Sequence, residues 1–140
     1  SHGSTLSRIV HAYLANELGK RDLAWEMYME ALSSDYVDIQ GGTTAEGIHA
    51  GVMGSTLLFV LQSIAGIQYR DEVLSVNPGL PAGWKKIRFN FAFRKKYYTF
   101  EIFLEKMAIS VDALDDQLVE IEIAGRIHRL VPGQVIKVDY

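Results

Sequence analysis

The hydrophobic repeat changes its period once, near Gly66, and this change limits the chain to a helical part followed by a sheet part. Before it, Leu6, Ile9, Val10, Tyr13, Leu14 and Leu18 fall at the spacing of one helix face, and Gly19 is placed to end that helix. Ala24, Met27, Tyr28, Ala31 and Leu32 repeat the spacing after Asp22, a residue suited to an N-cap, so two antiparallel helices joined by Gly19-Lys20-Arg21 are predicted. A loop from Ser33 to Gly42 follows. Thr43-Thr44-Ala45-Glu46 then matches a capping box and predicts a third helix running to about Gly66.

Beyond Gly66 the alternation is that of half-buried strands. Ile87, Phe89, Phe91 and Phe93 alternate with Arg88, Asn90 and Ala92, and Tyr98, Phe100, Ile102 and Leu104 continue the pattern after the short connection Arg94 to Lys96. Further runs at Met107 to Val111, Leu118 to Ile123, Arg126 to Leu130 and Val135 to Val138 are spaced as in an antiparallel sandwich. Ala124-Gly125-Arg126 and Val131-Pro132-Gly133 are turn sequences. Asn77-Pro78-Gly79-Leu80-Pro81 predicts an irregular connection, with Trp84 available to anchor it. The expectation is an α+β chain: helices over 1–66, a connection over 67–84 and a β-sandwich over 85–140.

Composition excludes several function classes. At 140 residues, 49% hydrophobic, with a net charge of −3, the chain reads as a globular domain with enough length for a sizeable core. With no cysteine it has no disulfide scaffold, thiolate metal site or thiol nucleophile, and a cytoplasmic setting is the simplest reading. Residues 1–66 hold three basic and seven acidic side chains and residues 67–140 eleven and ten, so neither part is a basic nucleic-acid surface. Lys85, Lys86, Arg88, Arg94, Lys95 and Lys96 flank an aromatic strand, where turn and edge cations are ordinary. Gly47 to Tyr69 runs 23 residues without a charge, but its four glycines and scattered polar residues fit a buried helix better than a membrane span.

The stretch with chemical promise is Asp38-Ile39-Gln40-Gly41-Gly42-Thr43-Thr44, leading to Glu46, Gly47 and His49. Glycines allow close backbone approach, hydroxyls donate, and a helix start offers free N–H groups with partial positive charge, a combination suited to phosphate. The plain alternative is that Thr43 and Glu46 only cap a helix. Gly3-Ser4-Thr5-Leu6-Ser7 opens the first helix with the same character, and it too has a plain reading as a cap. His2, His11, His49 and His128 lack metal-ligand spacing, so no metal is expected. Asp35, Asp38 and Glu46 form an acidic group that the helix dipole explains. Phe89, Phe91 and Phe93 fit a sandwich core rather than a stacking platform.

Asp38 to Gly54 resembles the late catalytic-domain motif of glycoside hydrolase family 65, the maltose, trehalose, kojibiose and nigerose phosphorylases. Gly3 to Ser7 resembles an earlier motif of that family, and Asn77 to Pro81 with Trp84 resembles the join to its C-terminal β-domain. The resemblance runs through nearly the whole chain in the family's order. It implies that residues 1–66 are the last helices of an (α/α)6 barrel and that the chain is the C-terminal fragment of a larger enzyme, with the barrel's exposed face unusually apolar.

By the same resemblance the reaction is an inverting phosphorolysis. Phosphate takes an α-linked glucose disaccharide to β-glucose 1-phosphate, with no cofactor beyond phosphate as co-substrate. The implied phosphate site is Ser4, Thr5, Ser7, Gly42, Thr43, Thr44 and His49. No catalytic residue lies in this chain, because the family's general acid lies upstream, so residues 1–140 alone are expected to be inactive. Partners implied are the disaccharide, phosphate and a second copy in a homodimer, with no nucleic acid and no membrane. The alternatives are a hydrolase of the same family, such as an acid trehalase, and a non-catalytic carbohydrate-binding or interaction module.

Overall fold

A computed structural model describes residues 5–37, 47–70, 72–115 and 117–140. The chain divides into two compact units, Ser1–Ser63 and Ile64–Tyr140.

The first unit holds α1 (Thr5–Glu17), α2 (Arg21–Ser33) and α3 (Ala50–Phe59). Gly19 stops α1 in the left-handed conformation at φ +72°, and its N–H reaches the Asn16 carbonyl. Asp22 is not the N-cap of α2. Lys20 holds that position, and Asp22 lies in the first turn, where its charge complements the helix dipole.

The buried stripe of α2 follows the predicted face, whereas that of α1 departs from it after Ile9. Ile9, Ala12 and Ala15 of α1 are buried, as are Ala24, Tyr28 and Ala31 of α2, whereas Val10 is 55% exposed, Leu14 50% and Leu18 73%. Alanines let two backbones come close, so the buried stripes of α1 and α2 are mostly small residues beside Ile9 and Tyr28, and Val10, Leu14 and Leu18 are left outward. Arg8 Nε pairs with Glu30 Oε2 at 3.1 Å across these helices. The Tyr28 ring stacks on Phe59 at 4.8 Å and ties α2 to α3, and burial pushes its phenol pKa up.

The described third helix is shorter than the predicted one. Residues 43–46 lie outside the described residues, but Gly47 has φ +93°, a region closed to a continuing helix, and α3 begins at Ala50 with His49 as its N-cap. Its charge-free sequence buries Val52, Thr56 and Phe59, while Leu57 is 70% exposed. The Ser55 and Thr56 hydroxyls donate to the Gly51 and Met53 carbonyls at 2.8 and 2.7 Å. A π-helical turn, Val60–Ile64, continues it. Among the described residues no helix is long and apolar enough to cross a membrane.

The second unit is a sandwich of two four-stranded sheets. Its strands are β1 (Ile67–Arg70), β2 (Val73–Val76), β3 (Lys86–Phe93), β4 (Lys96–Phe103), β5 (Lys106–Ala113), β6 (Val119–Ile123), β7 (Arg126–Leu130) and β8 (Val135–Asp139). One sheet runs β1-β2-β6-β7 and the other β3-β4-β5-β8. The stretch 67–84, read as a connection, therefore carries two strands, and only its later part is irregular. One pairing departs from the antiparallel expectation: β2 lies parallel to β6, with Leu74 opposite Ile121.

Alternate residues fill the core as the sequence pattern requires, with Phe100, Ile102, Met107, Ile109, Ile121, Ile123 and Leu130 fully enclosed. Phe89, Phe91 and Phe93 are half-buried because β3 is an edge strand. Leu104 is exposed, lying beyond the end of β4.

The β3–β4 hairpin turns on Arg94-Lys95, both left-handed at φ 49° and 61°, which is turn geometry that favours Asn-Gly. The Arg94 guanidinium lies over the Tyr69 ring, 4.6 Å from its centroid, and gives that residue a reason to be there. Among the described residues Lys95 has no ring beneath it as Arg94 has. Lys95→Gly is expected to stabilise the chain by about 0.5–1 kcal/mol by removing left-handed strain, read as a higher urea midpoint at constant slope. A lower midpoint would count against strain at this turn.

Candidate functional site

The described residues include three of the predicted phosphate residues, Thr5, Ser7 and His49. Ser4, Gly42, Thr43 and Thr44 lie outside the described residues, and Thr5 is placed only as the first residue of α1. Ser7 stands in the first turn of α1, and His49 is the N-cap of α3. The structure thus gives side-chain geometry for His49.

That geometry depends on a residue which sequence reasoning explained away. Asp35 lies in the turn after α2, and this turn is tied down. The Ser34 hydroxyl donates to the Ala31 carbonyl at 2.8 Å, and the Tyr36 and Val37 N–H groups donate to the Ser33 carbonyl at 3.1 and 2.9 Å. From there the Asp35 carboxylate grips His49 twice. Oδ1 is 2.7 Å from the ring Nδ1, and Oδ2 accepts the main-chain N–H at 3.0 Å.

Both side chains are largely enclosed, Asp35 9% and His49 19% exposed. Because an ionised carboxylate only accepts, Nδ1 carries the shared proton. The His49 carbonyl meanwhile accepts the N–H groups of Val52 and Met53 at 2.9 and 3.1 Å, so one residue both starts α3 and holds a fixed imidazole at its positive end.

Such an arrangement can donate a hydrogen bond to an anion, or accept a proton, close to a helix N-terminus. Among the described residues no three His, Asp or Glu side chains come together as a metal site requires. The acidic group proposed from sequence is in part this grip, since Asp35 serves His49 and not the helix dipole alone; Asp38 and Glu46 lie outside the described residues.

Two family models match the chain in sequence. The glycosyl hydrolase family 65 central catalytic domain matches residues 1–58, and the C-terminal domain of the same family matches residues 67–130. The chain belongs to glycosyl hydrolase family 65. Between them these matches take in α1, α2, α3 up to its last residue, and all strands but β8.

Curated relatives in family 65 include trehalose 6-phosphate phosphorylase of Lactococcus lactis, 42% identical over 120 residues, which are 86% of this chain and 15% of that protein. Alpha,alpha-trehalose phosphorylase of Geobacillus stearothermophilus is 25% identical over all 140 residues, 18% of its own length. A solved protein from the human microbiome assigned as a kojibiose phosphorylase superposes with a TM-score of 0.82 over 99% of this chain and 18% of its own, at 19% identity. That likeness establishes the fold. The chain spans under a fifth of the length of each of these relatives.

Proposed function

We propose that residues 1–140 are the C-terminal part of an inverting disaccharide phosphorylase. The observation that carries this reading is the start of α3, where a doubly held imidazole stands five residues after Thr44 of the Gly41-Gly42-Thr43-Thr44 sequence. Phosphate is a multivalent anion, and N–H groups, hydroxyls and an oriented imidazole at a helix N-terminus are the donors it needs. Ser4, Thr5 and Ser7 are assigned to the same cradle from the start of α1. Inorganic phosphate is the co-substrate, and no cofactor takes part.

In the proposed reaction a phosphate oxygen bonds to the anomeric carbon as the glycosidic C–O bond breaks on the opposite face. The departing oxygen takes its proton from a carboxylic acid, and the product is β-glucose 1-phosphate. The phosphate occupies the place of the water in an inverting hydrolase, so the cradle's work is to hold a dianion in line. The carboxylic acid lies in the part of the enzyme upstream of this chain, and residues 1–140 by themselves turn nothing over.

The outward apolar side chains support the assignment of residues 1–66 to a larger helical barrel. Leu14, Leu18, Leu57 and Leu58 are each at least half exposed, as side chains that pack against further barrel helices would be when those helices are absent. The same reading takes the full enzyme as a cytoplasmic homodimer.

The test uses the full-length polypeptide, incubated with maltose, trehalose, kojibiose, nigerose or trehalose 6-phosphate, with and without phosphate. Trehalose 6-phosphate is included because the Lactococcus relative is named for it. Phosphate-dependent release of β-glucose 1-phosphate from one of these is expected. Glucose released at the same rate without phosphate would make the enzyme a hydrolase and reduce both helix starts to caps.

A further inference from the structure

We propose that the β-sandwich carries a cleft that binds a pyranose ring of a carbohydrate, built where the β1–β2 and β3–β4 turns meet. The inference does not rest on the phosphate reading of the α3 start, because every residue it uses lies in the second unit.

The cleft has a volume of about 320 Å³, at the lower end of the range for small-molecule sites. The β1–β2 turn supplies Glu72 to its lining and the β3–β4 turn supplies Arg94. Both residues have left-handed backbones, at φ 67° and 49°, where glycine or asparagine would be unstrained. Two hairpins that each set a long charged side chain in such a position, beside one cleft, point to work for those side chains. Arg94 is also held in place. Its guanidinium lies 4.6 Å from the Tyr69 ring centroid and 5.6 Å from that of Phe93, and these two rings, one from each sheet, pack at 5.0 Å. A planar guanidinium laid on two rings is a preorganised set of donors.

Lys96 and Tyr98 line the same cleft from alternate positions of β4, and so share its inner face. Lys96 makes no ion pair among the described residues. An inward lysine commonly guards an edge strand, but β4 has a strand on each side, so that explanation does not serve here. Tyr98 is 3% exposed, and its hydroxyl has no hydrogen-bond partner among the described residues, although a buried phenol ordinarily finds one. Nor is that hydroxyl one of the polar atoms sealed from solvent, so it keeps an opening, and the open space that Tyr98 lines is this cleft. Burial pushes the phenol pKa up, so the hydroxyl stays protonated and can both donate and accept.

These groups select the chemistry of the ligand. Arg94 and Lys96 are balanced by Glu72 and Glu120 in the lining, so a polyanion gains little there. Glu120 is already paired with Arg129 at 3.2 Å, which leaves Glu72 as the acceptor. A neutral ligand rich in hydroxyls fits this set, since each hydroxyl both donates and accepts: Glu72 accepts, Arg94 and Lys96 donate, and Tyr98 does either. The C–H face of a pyranose packs on apolar surface, which Val73, Leu118 and the aromatic side chains supply.

The test titrates nitrogen-15-labelled residues 1–140 with maltose, which is uncharged and carries two pyranose rings, and separately with inorganic phosphate. Maltose should shift the amide signals of Tyr69, Glu72, Arg94 and Tyr98. Tyr98→Phe and Lys96→Met should each weaken maltose binding about three- to tenfold, the loss of one hydrogen bond to the ligand. Tyr98→Phe keeps the ring and should leave the urea midpoint at the parent value, so its effect on binding is read in a folded chain. Spectra unmoved by tens of millimolar maltose, shifts confined to other strands, or unchanged affinity in both variants would each overturn the proposal. Phosphate binding more tightly than maltose at the same signals would make the cleft an anion site and overturn it too. None of these results bears on the α3 start, whose test is the phosphate dependence of the full-length enzyme.

Discussion

Gly66→Ala is expected to cost the chain about 4 kcal/mol or more, enough to unfold much of it at room temperature. Gly66 has φ +67°, and a Cβ added to it would overlap the carbonyl and nitrogen of Asn77. The atoms in the way are backbone, which cannot swing aside as a side-chain tip does. The same two residues are joined, because the Asn77 N–H donates to the Gly66 carbonyl at 3.0 Å and so extends the β1–β2 ladder by one rung. Relief of the overlap would therefore break the rung and spread the strands at the entry to the sandwich.

Gly125→Ala provides the comparison. Gly125 is also left-handed, at φ +79°, but has open space where the Cβ would go, so its substitution should cost only the conformational strain of about 1–2 kcal/mol. Urea unfolding of both variants of residues 1–140 measures the difference. Equal losses would mean that the Gly66 approach to Asn77 is not close in solution.

The second large effect is expected at Phe100, where truncation to alanine should cost about 3–5 kcal/mol. Phe100 is fully buried at the middle of β4, between Phe89 on β3 and Ile109 on β5. Its ring stacks on Phe89 at 5.1 Å and lies 6.0 Å from that of Tyr98. Since β4 has a strand on each side, the surroundings cannot collapse into the hole without moving both, so most of the cavity should persist. Phe89→Ala, on the half-buried edge strand, should lose about half as much, because water and solvent-facing side chains can fill its place. Chemical denaturation that gave the two substitutions equal cost would place the centre of the sandwich core elsewhere.

These expectations also mark how far the sequence carried. The alternation from Ile87 onward is legible because each strand is long enough for several repeats and has one wet face, and β3 to β8 lie where it predicts them. β1 and β2 are four residues each, too short to establish a period, and β2 finds its partner in β6, far along the chain. In α2 the spacing finds the buried face, with Ala24, Tyr28 and Ala31 inside, but in α1 a pattern of apolar residues does not say that Ala12 and Ala15 are buried while Val10, Leu14 and Leu18 turn outward. That choice reflects how closely two backbones pack and what else stands beside them.

At the site, Thr43 and Glu46 satisfy a local rule for starting a helix, yet Gly47 and the Asp35 grip set the start of α3 at Ala50. No local rule pairs residues as far apart as Asp35 and His49. Only the hairpin of α2 back toward α3 brings them together. The motif around His49 was readable from sequence through family likeness, whereas its support was readable only in three dimensions.

The parallel pairing of β2 with β6 bears on how this unit folds. β3, β4 and β5 are neighbours in sequence and in space, joined by tight turns, so that meander can form with little loop-closure cost. The other sheet has no such shortcut: Leu74 meets Ile121 only after the whole meander between them has doubled back. The β1–β2 hairpin therefore waits, two short strands marginal by themselves, until the chain emerging from β5 delivers β6 to their side. The rate of the late step is set by the length of the intervening chain, and the edge of β2 stays open as long as that step takes.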